Sequence, residues 1–388
     1  IFVTMKKVGN NPHSLPFFKS LKIQKLQNSL AQNEKKSFIN GLYGSAKSFF
    51  IKELYRQNKK TIFWILNDKE TAAYHFNDLE NFMNSKECSF FSSSYKRNKE
   101  FNKTDSQNIF TRTEIIKNLS LKKESKVIVS YPEAIFEKVL VKKEIKKRTL
   151  KISIGQEIEL ESLNEKLFEY NFNRQDFVSE PGDFSVRGGI VDVFSYSSVL
   201  PYRIEFFGNE IESIRTFEIE SQISNNSMSS VEILADLENK EFSQERESIF
   251  DFLNSDNKIV IENLLFLKEE LQEYFKVIKN NYRKNDKENL NNLFYSGVNL
   301  ESDLNKFSII QFGKANNNQT SFETIPQPSF NKKFNLLIKN LADYDNKGYK
   351  IKIFCTSKNQ IRRFNEIFER TQSTLSHFLI EKSIYRGY

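Results

Sequence analysis

Apolar and polar positions recur with two different periods along this chain, and the switch between them predicts its organisation. Over residues 47–57 and 264–278 apolar residues recur every three or four positions, which is typical of a helix with one buried face. Short apolar runs at 61–66 and 126–130 indicate buried strands between such helices. The alternation of strand and helix predicts an α/β protein with a parallel sheet flanked by helices.

The remaining elements follow from the same pattern. Further strands are predicted at 37–39, 258–261 and 307–312, and further helices from Ser14, from Asp68 and over 109–119 and 245–253.

Near residue 140 the pattern changes to short β-rich stretches with turn residues between them. A strand at 150–154 and a helix at 160–172 are followed by strands within 184–194 and 202–217, where Gly208-Asn209 is a tight-hairpin signal. A small antiparallel α+β insert over 140–217 is therefore expected to interrupt a domain formed by 1–139 and 218–320. After a polar linker, residues 325–388 are predicted to form a small α/β unit that is cut short.

Composition excludes two broad classes of protein. With 38% hydrophobic and 28% charged residues, and with 37 Phe and 15 Tyr, the 388-residue chain has ample apolar side chains for two or three folded domains. The longest clean apolar run, at 62–66, is far shorter than the roughly 18 residues that cross a bilayer. Cys88 and Cys355 lie far apart and fit small core residues, so a reduced, cytoplasmic protein without membrane contact is expected.

The charge balance leaves two interpretations open. The 58 basic and 50 acidic side chains give +8, which is compatible with nonspecific DNA binding through phosphate contacts. The chain is also rich in Lys, Asn, Phe and Ile as a whole, so the excess can be compositional. The one dense basic cluster, at 142–148, is more typical of a solvated face or a linker.

A phosphate-loop pattern occurs at 41–48, between a predicted strand and a predicted helix, so the predicted parallel sheet resembles that of a phosphate-loop domain. The candidate cofactor-binding residues are Gly41, Gly44, Lys47 and Ser48. In such a loop Lys47 would contact the outer phosphates and Ser48 would contact Mg²⁺. However, Ala46 replaces the glycine before the lysine, and Glu262 is only a weak candidate for the distal carboxylate. We therefore predict a strand-to-helix turn that has lost its nucleotide, with a working nucleotide site as the alternative.

Candidates for catalysis are few. The three histidines, His13, His75 and His377, have neither metal-ligand nor triad spacing and are predicted to be surface or half-buried side chains. Acidic residues are numerous but form no pair that stands out from solvated helix faces. No catalytic and no metal-binding residue is predicted, and this chain is interpreted as a binding module.

Two stretches of the insert carry a long and specific resemblance. Residues 183–194, which read DFSVRGGIVDVF, and residues 201–215, which read PYRIEFFGNEIESIR, resemble the insert domain shared by the excision-repair subunit UvrB and the bacterial transcription-repair coupling factors. Residues 41–48, 68–80 and 130–136 also look like the coupling factors, so the resemblance covers about residues 15–380.

Two departures from UvrB favour the N-terminal, UvrB-homologous region of a coupling factor. The tyrosine-rich hairpin with which UvrB clamps damaged DNA has no counterpart near 92–97, and Ser185 stands where UvrB has an arginine. The altered phosphate loop points the same way, because UvrB needs an intact one. A UvrB-like, ATP-dependent DNA-damage-binding subunit is the alternative.

The resemblance implies a partner and the residues that bind it. The insert of this family docks on UvrA through two arginines, which fall on Arg174 and Arg187, and Phe177 and Phe184 are expected to add apolar contact area. The competing interpretation is that Arg187 pairs internally with Asp192 or Asp183 and orders the hairpin. The family's RNA polymerase contact and its ATP- and Mg-dependent motor for double-stranded DNA would lie beyond residue 388, so no cofactor is expected in this segment.

Overall fold

The computed structural model describes residues 2–6, 35–97, 100–121, 125–237, 245–281, 290–331, 333–371 and 375–387. The predicted helix from Ser14 and His13 lie outside these ranges. The strands are β1 Phe2–Lys6, β2 Lys36–Asn40, β3 Ile62–Ile65, β4 Cys88–Phe90, β5 Tyr95–Arg97, β6 Glu100–Thr104, β7 Val127–Ser130, β8 Val139–Leu140, β9 Thr149–Ser153, β10 Asn173–Arg174, β11 Asp183–Arg187, β12 Ile190–Val193, β13 Tyr202–Phe207, β14 Glu210–Phe217, β15 Ser224–Ser227, β16 Ser230–Leu234, β17 Arg246–Glu247, β18 Lys258–Ile261, β19 Ser308–Phe312, β20 Gln319–Ser321, β21 Tyr349–Cys355 and β22 His377–Glu381. The helices are α1 Ala46–Asn58, α2 Lys69–Phe82, α3 Ser106–Leu121, α4 Pro132–Phe136, α5 Lys142–Lys147, α6 Leu160–Glu169, α7 Leu264–Asn281, α8 Leu290–Leu293, α9 Leu300–Leu304, α10 Phe334–Asn346 and α11 Lys358–Arg370.

The largest sheet has seven parallel strands in the order β20-β2-β19-β18-β3-β7-β4. Its inner strands β3 and β7 are buried at every position, which explains their unbroken apolar sequences, because helices cover both faces of a parallel sheet. The single tryptophan, Trp64, lies fully buried in β3. The predicted parallel α/β fold is confirmed, including the strands that follow the insert.

One predicted helix is replaced by other structure. Residues 245–253 form the short strand β17 and a 3₁₀ turn over Ile249–Phe252, with the Ser248 hydroxyl accepting from the Phe250 amide at 3.3 Å. Ile249, Phe250, Phe252 and Leu253 are all buried in the core of the parallel-sheet domain. Four buried residues in five positions leave no exposed helical face, so apolar periodicity alone gave a wrong prediction here.

The insert is built on a six-stranded sheet whose strands follow chain order from β10 to β15. The predicted hairpin is confirmed, since β13 and β14 pair antiparallel with Phe207 opposite Glu210 and Gly208 has φ +62°. The insert also extends past the predicted boundary at residue 217. Strand β15 joins its sheet, and β16 pairs with β9, so the chain leaves the insert beside the place where it enters.

A third sheet, in the order β1-β21-β22, lies against α10 and α11. Residues 2–6, predicted to belong to the parallel-sheet domain, pair here with β21 instead. Cys355 is buried in this unit and Cys88 in the parallel-sheet domain, and both are free thiols, as expected for core residues. Across the described ranges, none of the helices combines the length and the apolar character needed to cross a membrane.

Candidate docking surface and the phosphate-loop turn

The first candidate site is the rim of the insert, which we define as Arg174, Phe177 and Arg187. Arg187 is the last residue of β11, directly before the Gly188-Gly189 turn into β12. Gly188 has φ +59°, and a Cβ on Gly189 would lie 3.0 Å from the Phe206 carbonyl oxygen of the neighbouring strand. Both glycines therefore fit a tight turn that holds Arg187 at the edge of the sheet.

Arg187 shares a buried carboxylate with a second arginine. Its Nη2 donates to Asp192 Oδ2 at 2.6 Å, while Arg203 donates to the same carboxylate through Nε and Nη2 at 2.7 and 2.9 Å. The Asp192 side chain is 1% exposed, whereas the side chain of Arg187 is 41% exposed. The internal pairing considered from the sequence is therefore present, and it leaves much of the Arg187 side chain accessible.

Arg203 is held more firmly than Arg187. Besides its two bonds to Asp192, its guanidinium lies 4.4 Å from the centroid of the Phe217 ring, and the bond to Asp192 raises the pKa of Arg203 above its ordinary value. Arg203 alone can therefore keep Asp192 paired. Arg187 can move to a partner's carboxylate without leaving a buried charge uncompensated.

Phe177 completes an exposed pair with Arg187. Its ring is 60% exposed, and the Arg187 guanidinium lies 5.1 Å from the ring centroid. The loop that carries it is fixed at both ends. Asp183 Oδ2 accepts from the amides of Ser179 and Glu180 at 3.0 Å, and the Ser185 hydroxyl donates to the Asp176 carbonyl at 2.9 Å.

Phe184 does not belong to this surface, and the prediction that it contacts a partner is wrong. It is fully buried in the core of the insert and packs edge-to-face on Phe168, with the ring centroids 5.1 Å apart. Its position in β11 explains this, because successive side chains of a strand point to opposite faces. Phe184 and Val186 face the core, while the buried Ser185 and the partly exposed Arg187 lie on the opposite face of the sheet.

Arg174 is exposed but is not adjacent to Arg187. It lies on the edge strand β10 opposite Phe184, three residues before the level of Arg187 on β11. An odd separation turns the two side chains to opposite faces of the sheet. The rim thus presents Arg187 with Phe177 on one face and Arg174 on the other side of the same edge.

Sequence reasoning missed the residues that support the rim. Arg203 and Ser185 were not assigned a role there, although both occupy the polar positions of alternating strands. That alternation, with Asp192 directly opposite both Ser185 and Arg203, was the available signal.

The second candidate site is the turn at 41–48, where Gly41 and Gly44 have φ of +77° and +52°. Its backbone groups already have partners within the chain. The Ser45 amide donates to the Arg386 carbonyl at 3.0 Å, and the Tyr43 amide donates to Thr324 Oγ1 at 2.9 Å. A Cβ on Gly44 would lie 2.8 Å from both Cβ and the carbonyl oxygen of Arg386. The segment at 386 therefore lies directly against the turn.

The two side chains expected to bind phosphate and Mg²⁺ also have internal partners. Lys47 Nζ donates to Glu262 Oε2 at 2.6 Å. The Ser48 hydroxyl donates to Asp78 Oδ2 at 2.9 Å and lies 2.7 Å from Nδ1 of His75. Glu262, the weak candidate for a distal carboxylate, thus lies at the expected place beside the turn and is bonded to the lysine.

Burial changes the ionisation of the two groups behind Ser48. Desolvation raises the pKa of Asp78 to about 6, and desolvation, with the Lys47 charge nearby, lowers the pKa of His75 to about 3. His75 is 3% exposed, so the prediction of a surface or half-buried side chain is wrong for it. A neutral His75 can donate from Nδ1 to the Ser48 oxygen while Ser48 donates to Asp78.

Comparison with known proteins identifies the class of the insert. Residues 150–238 match a family described as the UvrB interaction domain. This span runs from β9 past β16, which agrees with the extent of the insert in the structure.

Curated relatives are similar to about half of the chain. The chain is 31% identical over 207 residues to the transcription-repair-coupling factor of Bacillus subtilis (strain 168). The matched residues make up 53% of this chain and 17% of the relative. It is 30% identical to the factors of the same name from Staphylococcus epidermidis, over 196 residues, and Staphylococcus aureus, over 198 residues. The matched part spans only 16–17% of the length of these relatives. The predicted resemblance to bacterial transcription-repair coupling factors is confirmed.

Proposed function

We propose that this chain recruits UvrA through the rim of its insert, as the UvrA-docking part of a transcription-repair coupling factor. The observation that carries the proposal is that Asp192 is paired with both Arg187 and Arg203. Asp192 keeps two bonds to Arg203, so the exposed Arg187 guanidinium can take a carboxylate of UvrA in a bidentate contact. The exposed ring of Phe177 beside it supplies an aromatic anchor of the kind found at interface hot spots.

The names of the relatives support a wider role that we also propose. The chain would act in DNA repair, specifically transcription-coupled nucleotide excision repair, by bringing UvrA to lesions where RNA polymerase has stalled. Contacts with RNA polymerase and double-stranded DNA, and an ATP- and Mg-dependent motor, would belong to sequence outside residues 1–388. The segment itself would be non-catalytic, without a cofactor, and would work in the cytoplasm.

Binding of purified UvrA to the chain tests this proposal. Arg187→Ala is expected to weaken UvrA binding about 30-fold, which corresponds to about 2 kcal/mol at a hot spot. Arg187→Lys keeps the charge but loses the planar fork, so its affinity is expected to fall between those of the wild type and the alanine variant.

Lys166→Ala on α6 is the matched control. Its side chain is 43% exposed and pairs with Glu169, much as Arg187 is 41% exposed and pairs with Asp192. We expect this variant to bind UvrA like the wild type. Equal affinities of Arg187→Ala and Lys166→Ala would contradict the proposed interface, provided that hydrogen exchange in β12 shows both inserts folded.

A further inference from the structure

The phosphate-loop turn is occupied by a segment of the same chain. After β22, residues 382–387 run along α2 and reach the N-terminal end of α1. Ile384 is buried in the core of the parallel-sheet domain, and the Gly387 carbonyl accepts from the Gln327 amide at 3.3 Å. The segment is therefore part of the packed structure around the turn.

One face of α2 holds this segment. Its contact residues, spaced as helix neighbours one turn apart, are Tyr74, Asn77, Asp78 and Asn81. The Tyr74 ring stacks on the Tyr385 ring with centroids 4.4 Å apart and an interplanar angle of 11°. Asn81 Nδ2 donates to the Ser383 carbonyl at 3.1 Å.

The turn itself makes the most specific contacts. The Ser45 amide donates to the Arg386 carbonyl at 3.0 Å, and the Arg386 amide donates back to the Ser45 hydroxyl at 3.1 Å. The Tyr385 amide donates to Asp78 Oδ1 at 2.7 Å. A carbonyl oxygen thus lies where the turn's amide would otherwise face an anion.

We propose that the turn at 41–48 is an internal latch, whose ligand is the chain's own segment 382–387 and whose effect is to hold the α/β unit of β21 and β22 against the parallel-sheet domain. The polar groups of the former cradle are used for this purpose. Ser45 and Asp78 bind the backbone of the segment, and Ser48 fixes Asp78. Segment 382–387 follows β22 directly, so its binding to the turn holds β22 and the rest of the α/β unit in place.

Amide hydrogen exchange of the whole chain tests the latch, read at Ser45, Tyr385 and Arg386. Gly44→Ala places a Cβ 2.8 Å from Arg386 and should speed exchange at these three amides about tenfold, as expected when one or two hydrogen bonds are lost. Gly208→Ala is the matched control, because its φ of +62° resembles the +52° of Gly44 and nothing lies within 4 Å of the added Cβ. The control should leave exchange at the three amides unchanged.

A second variant covers the case in which Gly44→Ala fails to fold. Tyr385→Ala removes the ring stacked on Tyr74 and should also speed exchange at Ser45 and Arg386. Tyr344→Ala, which removes a different ring pair within the α/β unit, should not. Unchanged protection at Ser45 in Tyr385→Ala would overturn the latch.

Mg-ATP added to the wild-type chain separates the latch from a nucleotide site. The latch predicts the same exchange rates with and without millimolar Mg-ATP. Faster exchange at Tyr385 and Arg386 on addition of Mg-ATP would show that nucleotide displaces the segment, and it would overturn the proposal that the segment is the ligand of the turn.

Discussion

The turn at 41–48 and the rim of the insert are both positively charged motifs that sequence marks as binding sites, yet their charges are paired differently. Lys47 in the turn makes an ion pair with Glu262, and no other cation of the described residues pairs with that carboxylate. Arg187 in the rim shares Asp192 with Arg203. A cation can be given to an external partner at low cost only when its own carboxylate stays paired.

Burial sharpens the same contrast. Behind the turn, His75 and Asp78 are almost completely buried and their pKa values are shifted in opposite directions by desolvation. At the rim, Phe177 is 60% exposed. The turn therefore has the properties of a packed internal contact, and the rim has those of an open surface.

The largest expected effect separates the two aromatic residues that sequence assigned to the rim. Phe184→Ala should lower the free energy of unfolding of the insert by about 3–5 kcal/mol, because it empties a fully buried site. Phe177→Ala should change it by less than about 0.5 kcal/mol while weakening UvrA binding. Hydrogen exchange in β11 to β14 measures the first effect. Equal destabilisation by both variants would mean that Phe177 is also packed.

A smaller effect, dependent on pH, is expected in the turn. The folded-state pKa of Asp78, about 6, lies above its ordinary value of 3.8, so the folded state binds the proton more tightly and loses stability as the pH rises from 4 to 6. Asp78→Asn removes this cost. Its stability relative to the wild type should therefore increase over that range, by up to about 3 kcal/mol at about 1.4 kcal/mol per pH unit.

The fluorescence of Trp64 can follow the unfolding of this domain, because the Trp64 ring lies 4.8 Å from that of His75. Urea unfolding at several pH values gives the difference between variant and wild type. His75→Gln should show the opposite trend, with a gain over the wild type as the pH falls below 6.5, because the folded-state pKa of His75 is lowered to about 3. Parallel pH profiles for Asp78→Asn and wild type would contradict the raised pKa of Asp78.

The smallest effect compares the two cations directly. Lys47→Ala should destabilise the parallel-sheet domain by about 1–2 kcal/mol, because Glu262, whose side chain is 12% exposed, loses its ion pair. Arg187→Ala should cost the insert less than about 1 kcal/mol, as for a partly exposed pair. The double variant Lys47→Ala, Glu262→Ala should recover part of the first loss in urea unfolding. A larger stability loss for Arg187→Ala than for Lys47→Ala would reverse the comparison.

Much of the fold could be predicted from the sequence, because buried strands and tight turns depend on residues that are close together in the chain. Unbroken apolar strands predicted the parallel sheet, and Gly208-Asn209 predicted the β13–β14 hairpin. The 3₁₀ turn at 249–252 was missed because its residues are buried by long-range packing. The pairing of β1 with β21 joins segments more than 300 residues apart, which local periodicity does not report.

At the candidate sites the sequence by itself determined which residue types were present: the altered phosphate loop, the V-R-G turn and the resemblance that they carry. Only the tertiary structure decided what those residues face. It buried Phe184, exposed Phe177, gave Asp192 a second arginine and brought residues 385 and 386 to the turn. The reason is physical, because exposure and pairing depend on distant segments that meet only when the chain is folded.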